Sequence, residues 1–527
     1  MRGFQKRQRS SGSSYPFTRL DLNCFSIDYD GEAFGRVWTM HCISPFHGEK
    51  EIESLDLVPA KFLPNAPHIN EALLKRGKEF YTLQGQQYRE YVGDRSSNDV
   101  DQIPERVMVD QFKYQRRHDW PIVVNRKQGP SGEQFADHDR LITVRRSSWD
   151  DDWSPPRRRG RKRSKAGMYV PPIDDARDYS PDRAATHEYP QSYQRYSIDR
   201  PAKKIQDGFE KFDEIDPSTE LDEVALLLCP KVVHGFCLRK QVWKPLNVNK
   251  LRSVAFRGDS WNRLVLDTEY KNIIQAMVSS YIDKTARLDD LVNNKGQGLT
   301  LLLHGPPGSG KSLTAECVAE AYSKPLYQVT CGDLGTDEDD LEKRLSDIFD
   351  YAVTWGAILL LDEADIFLQD RDMNSLKRNA LVSVFLRMLD YFSGILFLTT
   401  NRVSTFDQAF QSRIHVTLGV PTLDQKRRVQ VWDIFLDDLA TKSAIDADKH
   451  KQLKGLVREK WSKERLNGRQ IRNAMRTALV VAEKNGTVIG EGEVGIVLRI
   501  GREFEGYLGH NKGVQGGLEG FEEVVEP

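Results

Sequence analysis

The stretch LTLLLHGPPGSGKSLTAE, residues 299–316, constrains the fold of this chain more than any other part of it. Its apolar run predicts a buried strand, its cluster of glycine and proline predicts a tight loop, and the remainder predicts a helix. Gly305, Gly310, Lys311 and Ser312 satisfy the pattern G-x-x-x-x-G-K-[ST] in this strand–loop–helix context, which is the context that a phosphate-binding loop requires. The predicted ligand is therefore a nucleoside triphosphate.

The residue types of this loop fit a triphosphate bound together with Mg²⁺. Glycine permits backbone conformations that turn successive N–H groups inward, and the helix N-terminus adds partial positive charge. Lys311 supplies a mobile ammonium for the β- and γ-phosphates, and the hydroxyl of Ser312 is a predicted Mg²⁺ ligand. The predicted nucleotide-binding segment consists of Gly305, Pro306, Pro307, Gly308, Ser309, Gly310, Lys311, Ser312 and Leu313.

A second chemical site follows the apolar run in AILLLDEADIF, residues 357–367. We expect Asp362 to hold Mg²⁺ through its water shell, and Glu363 to polarise the attacking water as general base. Asn401 ends another apolar run, in LFLTTNR. An uncharged amide beside the γ-phosphate can hold the water and a phosphate oxygen together, so we expect Asn401 to take part in catalysis.

Beyond residue 257, short apolar runs alternate with amphipathic helical patterns. This predicts an α/β fold, a P-loop NTPase parallel sheet with helices on both faces. From residue 422 helical patterns take over, and NGRQIRNAMRTALVVAEKNG is the clearest of them; they predict a small C-terminal helical lid. The predicted strands are residues 299–304, 326–330, 357–362, 395–400 and 414–418.

Five motifs in order resemble the AAA family of ATPases, within the wider AAA+ class. GPPGSGKS resembles Walker A, LLLDEAD resembles Walker B, TTN resembles sensor 1, FDQAFQSRIH resembles the arginine-finger region, and NGRQIR resembles sensor 2. The resemblance covers about residues 257–508. Within the AAA family, the sequence most resembles a group of fungal AAA ATPases that carry an N-terminal domain of unknown function. The segments DYDGEAFGRV and LLLCPKVVHGFCL are similar to parts of that N-terminal domain.

The resemblance implies roles for two arginines. Arg413 matches the arginine that a neighbouring subunit inserts toward the γ-phosphate, and such a finger can contribute about 10³ to 10⁵ in rate. Arg469 matches the sensor 2 arginine of the lid, and Arg472, one turn further on, is an alternative.

The resemblance also implies an activity and an assembly. It implies a homo-oligomeric ring, a hexamer, that binds and hydrolyses ATP with Mg²⁺ and remodels or releases a protein partner. The N-terminal module would select the protein substrate or adaptor. The alternatives are an ATP-bound scaffold or switch with negligible turnover, and a nucleic-acid-linked motor, which the sequence favours less.

Two positions depart from the family pattern. Phe410 stands three residues before Arg413, where many AAA proteins carry a second arginine. The segment that corresponds to a threading pore loop reads CGDLGTDEDD, with Leu334 but no aromatic residue. Remodelling or release of a folded partner therefore fits this sequence at least as well as threading.

The remaining sequence divides by composition. Alternating and helical patterns in FSIDYDGEAFGRVWTMHCI, INEALLKRGKEFYTL and ERVMVDQF predict an α+β module, and LDEVALLLCPKVVHGFC predicts strands that close it. A stretch rich in Pro, Ser, Arg and Tyr, with the basic run RRRGRKRSK, predicts a disordered insertion. The predicted divisions are a flexible basic tail (1–18), the first part of the module (19–115), the insertion (116–206), the closing part (207–256), the ATPase core (257–421), the lid (422–508) and a flexible tail (509–527).

Composition restricts partners and compartment. The formal net charge of −1 gives no general attraction to nucleic acid. Six cysteines without a CxxC pair do not resemble a secreted disulfide scaffold. No apolar run approaches the ~18 residues of a membrane span. We expect an intracellular protein, cytoplasmic or nuclear, with the basic run as a candidate nuclear signal; the basic N-terminus gives weaker support for mitochondria.

Overall fold

The structure, a computed structural model, describes residues 20–43, 46, 49–55, 57–63, 65–93, 104–118, 209–283, 298–335, 338–368, 376–402, 408–441 and 445–516. The chain divides into two compact units, one of residues 1–237 and 242–252, the other of residues 238–241 and 253–527. The predicted basic tail and nearly all of the predicted insertion, with its basic run, lie outside the described residues. Within the described ranges, no helix combines the length and the apolar character needed to cross a bilayer.

The first unit opens with an antiparallel hairpin of β1 (Leu20–Tyr29) and β2 (Phe34–Ile43). At its turn, the carboxylate of Asp30 accepts hydrogen bonds from the N–H groups of Glu32 and Ala33 at 3.0 and 2.9 Å, and Gly31 has a φ of 100°. The Tyr29-Asp30-Gly31 segment thus forms the turn of the hairpin, with residue types that favour such a turn. Helix α1 (Ala66–Tyr81) follows, where the sequence predicts a helix.

A second sheet completes this unit. Its elements are β3 (Gln86–Tyr91), β4 (Glu105–Asp110), α2 (Gln111–Arg117), α3 (Glu223–Leu227), β5 (Val232–Cys237), β6 (Val242–Asn247) and β7 (Leu251–Ser253). The strand order is β6-β5-β4-β3-β7. Since β4 pairs antiparallel with β5, the segments before and after the predicted insertion share one sheet.

The apolar run at residues 224–228 corrects a prediction, because it forms helix α3 and not a strand. Asp222 caps this helix, and its carboxylate accepts the N–H of Ala225 at 2.8 Å, which satisfies a donor that the first turn leaves free. Ala225 is buried while Val224 is 49% exposed. So short an apolar run does not by itself distinguish a strand from a buried helix.

The second unit is built on a parallel five-stranded sheet with helices, which confirms the predicted fold class. Its elements are α4 (Ser260–Arg263), α5 (Thr268–Asp283), β8 (Leu299–His304), α6 (Lys311–Ala321), β9 (Leu326–Thr330), α7 (Glu338–Thr354), β10 (Ile358–Asp362), α8 (Asp365–Leu368), α9 (Leu376–Tyr391), β11 (Ile395–Thr400) and β12 (Val416–Gly419). The strand order is β12-β8-β11-β10-β9, and every pairing is parallel. Strands β8, β10 and β11 are therefore neighbours, and their carboxyl ends meet along one edge.

Strand β12 begins at Val416, two residues later than predicted. The N–H of Ile414 donates to Phe410 O in a turn at 3.1 Å. The N–H of Thr300 on β8 donates to the ring Nδ1 of His415 at 3.1 Å rather than to a strand carbonyl. The register between β8 and β12 begins at Val416, although the N–H of His415 already donates to Thr300 O at 2.9 Å.

Four helices form the lid. They are α10 (Gln425–Thr441), α11 (Ala447–Glu459), α12 (Gly468–Asn485) and α13 (Glu491–Gly516), packed around a core that contains Trp432 and Trp461. Helix α12 begins with a capping box between Asn467 and Gln470 and ends at Gly486, whose φ is 66°. Helix α13 continues to Gly516, eight residues beyond the predicted end of the lid at 508.

Candidate nucleotide-binding site

The loop between β8 and α6 requires glycine at defined positions. Gly305 has a φ of 145°, and a Cβ there would lie 2.1 Å from the carbonyl oxygen of Val420. Gly310, the N-cap of α6, has a φ of 108°, a left-handed conformation that side chains disfavour. The loop therefore passes against the end of β12 and delivers the chain into α6, whose first N–H groups have no partner within the helix.

Lys311 lies at the centre of the site and is 7% exposed. Its Nζ donates to the carbonyl oxygens of Gly305 and Pro306 at 2.8 and 2.9 Å, and to Oδ1 of Asn401 at 2.8 Å. Burial lowers the pKa of Lys311; the carboxylate of Asp362 opposes this shift, and the positive charge of Arg469 adds to it. All three acceptors are neutral, so an anionic phosphate oxygen is a stronger partner for this ammonium.

Ser312 and Asp362 are in direct contact. The Ser312 hydroxyl lies 2.9 Å from each carboxylate oxygen of Asp362. The Thr399 hydroxyl on β11 also donates to Asp362, as does the Gln328 amide on β9 at 3.3 Å. One hydroxyl and one oriented carboxylate are oxygen ligands of the kind that Mg²⁺ takes alongside water and phosphate. Sequence reasoning missed Thr399 and Gln328, whose only signal is a polar residue inside an apolar strand.

Glu363 follows β10 in a backbone conformation that is rare for a residue with a side chain. Its φ is 58°, and its N–H donates to the Thr399 hydroxyl at 3.0 Å. The next residue, Ala364, donates its N–H to Thr399 O at 2.8 Å. Left-handed non-glycine residues persist only where the surroundings fix them, and they concentrate at functional sites. Its side chain is exposed and is therefore accessible to a ligand.

Asn401 is oriented from two directions. Its side-chain oxygen accepts from Lys311, as described above, and its N–H donates to Oδ1 of Asp365 at 3.0 Å. The preceding Thr400 hydroxyl also donates to Asp365. Asp365, at the start of α8, thus fixes the end of β11; sequence reasoning gave it no role.

The structure places the two predicted arginines differently. Arg469 lies in the first turn of α12, whose N-terminus touches the loop: the Gly468 N–H donates to Gly308 O at 3.1 Å. Arg469 is exposed, and its charge acts on Lys311. Arg413 is bound instead to Asp390 on α9, with Nε 2.8 Å from Oδ1, and it makes no described contact with the loop of its own chain.

The two departures from the family pattern are both buried. Leu334 ends a 3₁₀ turn, Cys331–Leu334, and is 0% exposed, so it presents no side chain to a pore. Phe410 is also 0% exposed; its ring lies 6.0 Å from that of Phe385, which stacks on Phe367. Phe410 therefore occupies the core and leaves no place for an arginine.

A pocket of about 370 Å³ adjoins the loop. Apolar side chains, including Leu266 and Leu423, form part of its wall, and Ser309 lines it with a hydroxyl that is buried and lacks a partner among the described residues. A ligand with a polar atom can satisfy that hydroxyl. Its lining, most of which sequence reasoning missed, is Val265, Leu266, Asp267, Tyr270, His304, Gly305, Pro306, Ser309, Gly419, Val420, Pro421, Leu423 and Arg427.

Comparison with protein families defines the class of the second unit. Residues 301–422 match the family model of the ATPase family associated with various cellular activities (AAA). More particularly, residues 423–513 match the fungal AAA+ ATPase lid domain, and residues 3–64 match a domain of unknown function, DUF7025. The chain therefore carries an AAA domain with a fungal-type lid and an N-terminal domain of unknown function, as the motifs predict.

Curated relatives share part of this chain. It is 30% identical over 166 residues to the human ATPase family AAA domain-containing protein 3B, covering 30% of this chain and 26% of that protein. It is 28% identical over 207 residues to the mitochondrial sorting homolog of Caenorhabditis elegans, covering 38% and 57%. It is 30% identical over 160 residues to the ATP-dependent zinc metalloprotease YME1 homolog of the same worm, covering 28% and 22%. The chain thus spans less than two thirds of the length of each.

Proposed function

We propose that this protein is a Mg²⁺-dependent ATPase that works as a homo-oligomeric ring, a hexamer by family resemblance, and remodels or releases a protein partner. One observation carries the proposal. Five side chains converge around a glycine loop at the carboxyl ends of three adjacent parallel strands. They are those of Lys311, Ser312, Asp362, Glu363 and Asn401. Ligands of open parallel sheets bind at that edge.

Phosphate binding is assigned to the loop and to Lys311. The free N–H groups of the first turn of α6 and the Lys311 ammonium supply the positive field for the triphosphate. Ser312 and Asp362 hold Mg²⁺, which, when bound, neutralises charge on the β- and γ-phosphate oxygens. Thr399 and Gln328 already orient the carboxylate of Asp362, so little further ordering would be needed for it to hold Mg²⁺.

Hydrolysis is assigned to Glu363 and Asn401. Glu363 accepts the proton of the attacking water as the oxygen adds in line to the γ-phosphorus and the bond to ADP breaks. Asn401 holds that water and a γ-phosphate oxygen through its amide. The amide oxygen of Asn401 accepts from Lys311 at 2.8 Å, so the two side chains lie close enough to act on the same phosphate group.

The adenine base is assigned to the pocket of about 370 Å³ beside the loop. Apolar surface for the faces of the base comes from Leu266, Val420 and Leu423. The pocket borders the loop at Ser309, whose buried hydroxyl can bond to a polar atom of the ligand. Because Leu423 and Arg427 belong to the lid side of the chain, bound nucleotide contacts both the sheet and the lid, which couples lid position to occupancy.

Arg413 and Arg469 complete the proposed site. Arg469 reaches the phosphates from the lid of the same subunit, with Arg472 as the alternative. Arg413 makes no described contact with the loop of its own chain, which is consistent with a role as arginine finger for the neighbouring subunit. Because Leu334 is buried, the described part of the pore-loop segment offers no gripping side chain; we therefore propose remodelling or release of a folded partner, selected by the N-terminal module, rather than threading.

The second candidate is an ATP-bound switch with negligible turnover. The burial of Phe410 favours it, since trans-activation would rest on Arg413 alone. In that case nucleotide state would control only assembly with the partner.

Steady-state phosphate release from the full chain, measured across protein concentration, tests the proposed function. We expect activity per subunit to rise with concentration and then level off, because each site is completed by a neighbour. Arg413→Ala is expected to give low activity at every concentration. Turnover in the wild type no faster than in Glu363→Gln would instead support the switch.

Asp365→Asn is expected to lower kcat about tenfold, since a neutral amide is a weaker acceptor for Thr400 and Asn401 and the sensor amide shifts from its place. The affinity for ATP should change by less than about threefold, because Lys311 and the loop remain. Phosphate release and fluorescent-nucleotide titration measure the two quantities. Asp350→Asn is the matched control, as Asp350 also accepts from a threonine hydroxyl, that of Thr354, outside the site; equal losses in both variants would contradict the role of Asp365.

A further inference from the structure

Arg413 is held inside its own chain by an aspartate on a different element. Nη2 of Arg413 donates to Oδ2 of Asp390 at 3.1 Å, and Nε lies 2.8 Å from Oδ1 as an ion pair. Nη1 donates to Ala409 O at 2.8 Å and, more weakly, to the Ser412 hydroxyl at 3.4 Å. Both members of the pair are partly exposed, Arg413 at 27% and Asp390 at 19%. This pair therefore lies at the surface with one side of the guanidinium covered.

The contacts leave part of the guanidinium available. Arginine carries five N–H donors in a planar fork. Oδ2 of Asp390 accepts one hydrogen of Nη2, and Ala409 O accepts one hydrogen of Nη1. The Nε hydrogen is buried beside Oδ1 without a hydrogen bond to the described residues and is not available to a ligand. What remains is one hydrogen on Nη2 and the Nη1 hydrogen that only the exposed Ser412 hydroxyl approaches. Hydrogens on Nη1 and Nη2 of a guanidinium can bind phosphate oxygens.

We propose that Asp390 is a positioning residue for the arginine finger. Its contact with Nη2 fixes the orientation of the Arg413 guanidinium, so that the remaining hydrogens of Nη1 and Nη2 are presented to the nucleotide of the neighbouring subunit without a search through rotamers. This inference rests on the proposed function. Among the described residues, the hydrogen bonds that orient the Arg413 guanidinium come from Asp390, Ala409 and Ser412.

A subunit-mixing experiment on the full chain tests this role. The acceptor subunit carries Arg413→Ala and keeps an intact nucleotide site; the donor subunit carries Glu363→Gln, keeps its finger and cannot turn over its own ATP. Each alone is expected to be nearly inactive, and the mixture should recover phosphate release. Asp390→Asn added to the donor should then lower the recovered kcat about tenfold or more, because a misplaced group costs rate steeply. The same substitution added to the acceptor should have no effect.

The position dependence separates positioning from general stabilisation. Equal losses with Asp390→Asn in donor and acceptor, no loss in the donor, or no recovery in the parent mixture would each overturn the inference. Asp390→Glu in the donor should recover part of the rate, since it restores the charge. Asp433→Asn in the donor is the matched control, because it removes the partner of Arg458 in the lid, and it should leave the recovered rate unchanged.

Phosphate release by the wild type and by Arg413→Ala distinguishes a failure of the proposed function from a failure of the positioning role. If the wild type itself releases no phosphate, the proposed function fails. If the wild type is active and Arg413→Ala is not, while Asp390→Asn in the donor has no effect, only the positioning role fails.

Discussion

Glu363→Gln is expected to keep ATP bound while turnover falls by about 10² to 10⁴, the usual contribution of a general base. Glutamine preserves the size of the side chain and cannot accept the proton of the attacking water. The loop, Lys311 and the Ser312–Asp362 pair remain as they are, so the affinity should change by less than about threefold. Single-turnover phosphate release and nucleotide titration measure the rate and the affinity separately.

Glu342→Gln is the matched control for that variant. It makes the same chemical change on α7, where Glu342 accepts from Arg387 at 2.6 Å outside the site. It should leave turnover unchanged. Hydrolysis at the wild-type rate by Glu363→Gln would show that another group accepts the proton, and the assignment of the base would be wrong.

Lys311→Ala is expected to remove measurable nucleotide binding, with affinity lowered by about a hundredfold or more, because charge-assisted hydrogen bonds to the phosphates are lost. Thermal unfolding gives an independent measure. The wild type should be stabilised by about 2.7 kcal/mol at a nucleotide concentration of 100 times Kd, and the variant should show almost none of this effect under the same conditions.

Lys271→Ala provides the matched control for the lysine. Burial also lowers the pKa of Lys271, and its Nζ donates to Trp261 O at 3.1 Å. The variant therefore loses a partly buried, hydrogen-bonded ammonium that lies away from the loop. It should retain the stabilisation by Mg²⁺ and ATP. If Lys311→Ala binds nucleotide as tightly as Lys271→Ala does, the loop does not hold the phosphates.

The sequence predicts the sheet of the second unit well because its strands are covered on both faces. The predicted bounds of β8 and β11 coincide with the observed ones, since a strand buried on both sides is a largely continuous apolar run. Those of the edge strand β9 coincide as well, although its burial alternates. The same reasoning failed at α3, where a run of similar composition lies in the first unit and takes the period of a helix. Composition alone does not separate the two cases, whereas the N-cap at Asp222 is a signal for a helix.

The side chains missed by sequence reasoning are those that act through distant partners. Thr399, Gln328 and Asp390 are common surface residue types whose roles arise only when the sheet and α9 bring them to Asp362 and Arg413. The pocket residues 265–267 precede the loop by more than thirty positions and carry no motif. Motif spacing identifies functional residues that lie on one element or directly beside it. Residues that reach the site from other elements are identified only once the packing of those elements is known.

The contact between Gly308 and the start of α12 joins the loop between β8 and α6 directly to the lid. A Cβ at residue 308 would lie 2.6 Å from the side chain of Asn467, and the Gly468 N–H already holds the Gly308 carbonyl. An outward movement of the lid must break this hydrogen bond between the loop and the start of α12. In the ATPase that we propose, opening of the lid would therefore act directly on the loop that holds the phosphates, and lid movement would be coupled to release of the product.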